Sequence, residues 1–371
     1  MKTFVLVNIP VLISTMRKNV FEYAKCLVIL LIAAGFISCD KQSSFVNPEE
    51  FELGQLQKEL GDCVVQAIAF DTKGNAWIGA FELEVPQDED QKPEARHYIV
   101  RHNAQETVFY NTDNSVIPKD FWIWDIAVDK QDNVWIGGTG GLLKYDGKVF
   151  SFFNSQNSAM PEDVVSSIAV DSKNNIWLAS CRHKQGGLVK YDGTKWTAFT
   201  PDNSALPDNS INDIATDQSD NVWLTVNDYL VKFSGNKWNV YDKNDLGLTN
   251  FIFSGIQFNS KNLLLGINDH SFNGLMIQPP CEFYSFDGKK PTLLSTIDNI
   301  TSIPGQTKIT IDHNDYVWCY SVGSRNVGEM WNGDKWTLLD SSEFGGSSIW
   351  IIKEDTERRI WFGTENGIYI K

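Results

Sequence analysis

One short pattern returns along this chain often enough to fix the architecture before any other feature is considered. It reads Ile126-Ala127-Val128-Asp129, a few turn residues, then Asn133-Val134-Trp135-Ile136-Gly137. Close copies run from Ala67 to Gly79, Ile168 to Leu178, Ile214 to Leu224, Ile309 to Trp318 and Ile352 to Gly363. A degenerate copy spans Ile256 to Gly266, with Leu265 where Trp is expected. The marker positions Trp77, Trp135, Trp177, Trp223, Leu265, Trp318 and Trp361 are 42 to 58 residues apart. A period in the low forties, lengthened by loop insertions, is that of a four-stranded propeller blade.

A single period can be read strand by strand. Ile211 to Thr216 is a short apolar strand, and Asp217 to Asn221 is a turn held by Asp and Asn side chains. Val222 to Val226, Tyr229 to Phe233 and Lys237 to Tyr241 follow as second, third and fourth strands. Asp-Gly and Asn-Gly pairs at 146–147, 192–193 and 332–333 mark the same hairpin in other repeats. Such a meander cannot bury both faces alone, so the sheets must stack around a common axis with the marker Trp between neighbours. The expected fold is all-β: a seven-bladed β-propeller over residues 49–371, four antiparallel strands per blade. The last repeat stops after a third strand, Gly367 to Ile370. We therefore expect the segment around Phe51-Glu52-Leu53 to supply the outer strand that closes the ring.

The start of the chain has a different character. Lys25 precedes an apolar run, Cys26 to Ile37, too short to span a bilayer comfortably and ending at Ser38-Cys39. This resembles a bacterial lipoprotein signal (1–38), with Met16 as a second candidate start and Cys39 as the lipidated residue. Residues 39–48 then read as a tether. The only membrane contact expected is through that lipid, in the bacterial cell envelope, at the outer membrane on its periplasmic or surface side. The net charge of −15 repels phosphate backbones and argues against nucleic acid as a partner. Cys63, Cys181, Cys281 and Cys319 lack any CxxC spacing and read as mostly free and buried. No cofactor or metal-ligand cluster is legible, and a monomer is expected.

The stretch from Ile126 through Trp135 and Gly140-Gly141-Leu142 to Tyr145-Asp146-Gly147 resembles the two-component regulator propeller repeat. The likeness covers roughly residues 60–371. In that family the repeats form periplasmic sensor domains of hybrid histidine kinases that respond to glycans. The resemblance implies a ligand-binding or partner-binding propeller, here without the kinase.

Ligands of propellers sit at the channel mouth, so departures from the repeat there carry the functional reading. Where other repeats have Ser166 or Asn212, the second has Trp124, beside Trp122, and the seventh has Trp350. These indoles are candidates for stacking on a sugar or apolar group. Arg182, His183, His270 and Arg325 fall in second-to-third loops on the same face and are the polar candidates. The Asn-Ser-X-X-Pro loops at 114–118, 157–161 and 203–207 repeat too regularly to be anything but structural turns. His313 lies at the opposite end and also reads as structural. Among His, Ser and Asp no nucleophile elbow or triad ordering is present. The favoured function is binding of a glycan, peptide or envelope protein. The alternative is a streptogramin-lyase-like enzyme: those propellers are loosely similar and use histidine and magnesium at the mouth, which points to His183 or His270. Their catalytic motif has no residue-by-residue counterpart in this chain.

Overall fold

The structure, a computed structural model, describes residues 55–84, 94–182, 185–248, 253–261, 264–268, 281–297, 307–321 and 328–371. Within them lie seven antiparallel sheets, each ordered as a simple meander. Blade 1 runs from Val64 to Tyr110, and its second and third strands (Ala76–Glu84, Glu94–His102) are the longest hairpin pair. Blades 2, 3 and 4 span Ile123 to Phe153, Val165 to Phe199 and Ile211 to Tyr241. Blades 5, 6 and 7 span Phe253 to Ile297, Thr307 to Leu339 and Ile349 to Ile370. The seven-bladed, four-stranded architecture read from the repeat is the one observed, Leu265 included.

The core is divided into seven clusters, and each lies between two blades. Trp77 packs with Ile126, Ile136 and Tyr145 of blade 2, and Trp135 packs with Ile168 and Val189 of blade 3. The pattern continues with Trp177, Trp223, Leu265 and Trp318, each against the following blade. Trp361 closes the circle against Val65, Ile68 and Ile78 of blade 1. Burying an indole this way removes a large apolar area from water, but its N–H needs a partner. The first-to-second turn provides it: Asp71, Asp129, Asp171, Asp217, Asp312 and Asp355 each accept the marker indole N–H at 2.8–3.1 Å. The blade 5 repeat changes both halves together, with Asn259 for Asp and Leu265 for Trp.

Blade 7 has three strands among the described residues. Its outer edge is met by a helix, Gln55–Leu60. The Gln57 amide bonds to that edge as a neighbouring strand would, donating to the Asn366 carbonyl at 2.7 Å and accepting the Ile368 N–H at 2.5 Å. The Gly367 N–H donates to the Cys63 carbonyl at 2.9 Å, while Leu56 and Leu60 pack on Trp361 and Ile368. The N-terminal approach to blade 1 thus does hold blade 7, by a helix. Phe51, Glu52 and Leu53, the segment expected to form the closing strand, lie outside the described residues, as does Cys39. No described helix is long and apolar enough to cross a membrane.

Candidate functional site

Among the described residues six inner strands carry a β-bulge near their start, at Gln66, Trp124, Ser166, Asn212, Ser254 and Trp350. A bulge leaves one residue unpaired and re-aims its side chain. Gln66, Trp124, Ser166, Asn212 and Trp350 accordingly line one continuous central channel with a volume of about 1140 Å³. This ring is uncharged: two indoles, two amides and a hydroxyl. Trp124 is 51% exposed, whereas Trp350 is half-buried and its indole N–H has no partner among the described residues.

A charged layer follows immediately along the same strands. Asp125 accepts the N–H groups of Ile126 (2.9 Å) and of Ile168 in blade 3 (2.8 Å). Asp213 accepts those of Ile214 (3.0 Å) and of Ile256 in blade 5 (3.0 Å), and the Ser167 hydroxyl (3.1 Å). Each carboxylate therefore staples its blade to the next. Lys308 reaches to 3.9 Å from Asp213, over Gly255, where even a Cβ would meet the Ile309 N at 3.2 Å. Burial raises the Asp125 carboxyl to about 6, against the opposing pull of the Lys353 ammonium and the Ile168 N–H.

The three candidate tryptophans divide into two roles. Trp124 and Trp350 face the channel. Trp122 turns toward blade 1, with its ring 4.8 Å from Phe81 and 4.6 Å from His97, while Phe81 stands 6.3 Å from Trp350. The result is an aromatic wall across blades 7, 1 and 2, with Gln66 between the two channel indoles. His97 belongs to this wall although the sequence reading did not select it. It is 6% exposed, and neither ring nitrogen has a partner among the described residues. Burial holds its pKa below the usual value, with the Asp120 carboxylate pulling the other way. The signal available in the sequence was its place in an alternating strand, Glu94–His102, where an imidazole takes an inward position.

Of the polar candidates, Arg182 ends the second strand of blade 3, paired with Gln185. His183, His270 and Arg325 lie outside the described residues. His313 is engaged at the other end of the ring, its N–H donating to Glu354 at 2.8 Å and its ring nitrogen contacting the same carboxylate. The three Asn-Ser-X-X-Pro loops tuck Ile117, Met160 and Leu206 into the core as structural turns do. Cys63 and Cys319 are buried, and burial pushes the Cys63 thiol up to about 11. Among the described residues no group of His, Cys, Asp or Glu has the geometry of a metal site.

No family model and no curated protein matches the sequence. Solved structures do share the fold. The extracellular domain of the hybrid two-component system BT3049 from B. thetaiotaomicron superimposes with a TM-score of 0.59 at 16% identity, covering 84% of this chain and 39% of that one. This chain therefore spans about two fifths of that domain's length. A streptogramin B lyase gives 0.58 at 15% identity, covering 84% of this chain and 93% of the other. YCF48 bound to D1 peptide gives 0.56 at 11% identity, with 84% and 93% covered.

Proposed function

We propose that this chain is a binding module of the bacterial cell envelope, lipid-anchored through Cys39, whose ligand sits at the bulge end of the channel against Trp124 and Trp350. The observation that carries the reading is Trp124, a large aromatic left half in water at the bulge position where blades 3 and 4 carry Ser166 and Asn212. A bulged indole packs on little of its own protein, so its face is free to stack on a ligand. The neutral ring around it, Gln66, Ser166 and Asn212, offers amide and hydroxyl groups suited to an uncharged polar partner such as a glycan or an extended peptide. Likeness in fold to extracellular sensor domains and to a peptide-bound propeller supports binding in the envelope.

A glycan and peptide array probed with wild type, Trp124→Ala and Trp350→Ala tests this. Binding by wild type, lost in both variants while the melting temperature holds, is the expected result. Variants that bind as wild type does would remove the indole platform. Incubation with candidate small molecules, with and without added divalent metal, checks the lyase alternative by turnover.

A further inference from the structure

At the end of the channel opposite the bulges, neighbouring blades are joined by a repeated latch. The residue after the turn Asp, or after Asn259 in blade 5, offers its N–H and hydroxyl to a carboxylate on the following blade. Thr72 donates to Asp132 at 2.9 and 2.7 Å, Ser172 to Asp220 at 2.7 and 2.7 Å, and Ser260 to Asp315 at 2.8 and 2.5 Å. The accepting residue is in the left-handed region each time, with φ of 61°, 61° and 63°. These bonds hold all three carboxyls below their ordinary pKa, so the latch grips the ionised form. Between blades 2 and 3 the Lys130 N–H donates to the Asn174 amide oxygen at 2.8 Å in the same way.

The joint between blades 7 and 1 keeps the donor half alone. Thr356 occupies the position of Thr72, Ser172 and Ser260, and is exposed. The accepting position is Gly74 (φ 80°), and a Cβ built there would meet nothing within 4 Å. Thr356 and Arg358 both line the channel at this end. The charges around them are Arg358, 3.8 Å from Glu354; Arg359, shared between Asp355 at 2.7 Å and Glu357 at 3.2 Å; and Lys73 next to Gly74, 3.6 Å from Asp132. We propose that this joint is a binding site for an external carboxylate, received by the Thr356 N–H and hydroxyl where three other joints hold an Asp side chain. The site stands at the opposite end from the indoles and does not depend on the ligand proposed for them.

The test follows the Thr356 amide by NMR in the isotopically labelled chain. The probes are sodium acetate and a capped Gly-Asp-Gly peptide. Acetamide and sodium chloride at matched ionic strength are the controls. A saturable shift with both carboxylates and none with the controls is expected. Half-saturation by the peptide at least tenfold below acetate assigns the source to a partner's acidic side chain, and any other ratio to a small carboxylate. In Gly74→Asp the latch is completed internally: Thr356 shifts without added acetate, its response disappears, and the unfolding midpoint rises by about 1–3 °C. A flat titration in wild type, or an equal shift with acetamide or chloride, overturns the proposal whatever Gly74→Asp does. Thr356→Val, read through the neighbouring Arg358 amide, must lose the response as well.

Discussion

The two ends of the channel are built from the same strands and behave differently. At the turn end the repeat is kept nearly to the letter: Asp, indole N–H, left-handed residue and cross-blade latch recur from joint to joint. At the bulge end the same register positions carry Gln66, Trp124, Ser166, Asn212 and Trp350. The difference has a physical cause. The turn Asp and the marker indole are buried and mutually bonded, so a change in one orphans the other, at about 1–3 kcal/mol for each buried polar atom left unpaired. The five side chains at the bulge end face the open channel rather than a neighbouring sheet, so they vary from blade to blade without disturbing the ring.

That comparison can be broken, and the largest lever is a marker indole. Trp177→Ala empties the joint between blades 3 and 4, and a loss of about 3–5 kcal/mol is expected in chemical denaturation; a loss under about 1 kcal/mol would mean the joints are not the core. Asp171→Ala keeps the ring packing but strands the Trp177 indole and the Asn175 amide it bonds at 3.0 and 2.6 Å. Its expected cost is about 2 kcal/mol, read the same way.

Asp125 probes the layer between the two ends through pH. Its pKa is raised in the fold, from 3.8 to about 6, so its contribution to stability is full below the unfolded value and is lost as pH rises through the folded one. Asp125→Asn should flatten that decline, on the order of 2 kcal/mol between about pH 4 and about pH 7.5. Melting curves across that range decide it, and an unchanged slope would place the titration elsewhere. Asp220→Ala removes one surface latch, and under about 1 kcal/mol is expected. Trp124→Ala completes the series, with stability within about 0.5 kcal/mol of wild type and ligand binding abolished. A variant with both properties draws the line between the end that holds the ring and the end that meets a partner.

How much of this could be read without coordinates follows the same division. The blades, the marker tryptophans and the turn Asp were legible because they repeat with a local period: strand, turn and strand lie within a dozen residues. The departure at Trp124 and Trp350 was legible for the same reason, as a break in a known pattern. The division of labour among Trp122, Trp124 and Trp350 was not, because it depends on which side of a bulge each one leaves. His97 escaped because its neighbours Phe81 and Trp122 come from another strand and another blade. Gln57 escaped because it meets Ile368 across the whole length of the ring, from a short helix that no periodic pattern announces. In these cases the deciding contact is non-local and its geometry is set by the closed circle.

The pairing of every marker side chain with the blade that follows it has a consequence for how the molecule comes apart. A linear array of repeats has end units that face solvent on one side and fray first; a circle has no such units. Each sheet here is clasped from both flanks, so damage to any one of the seven should be felt as a cooperative loss around the whole perimeter, with amide exchange in distant sheets accelerating in step.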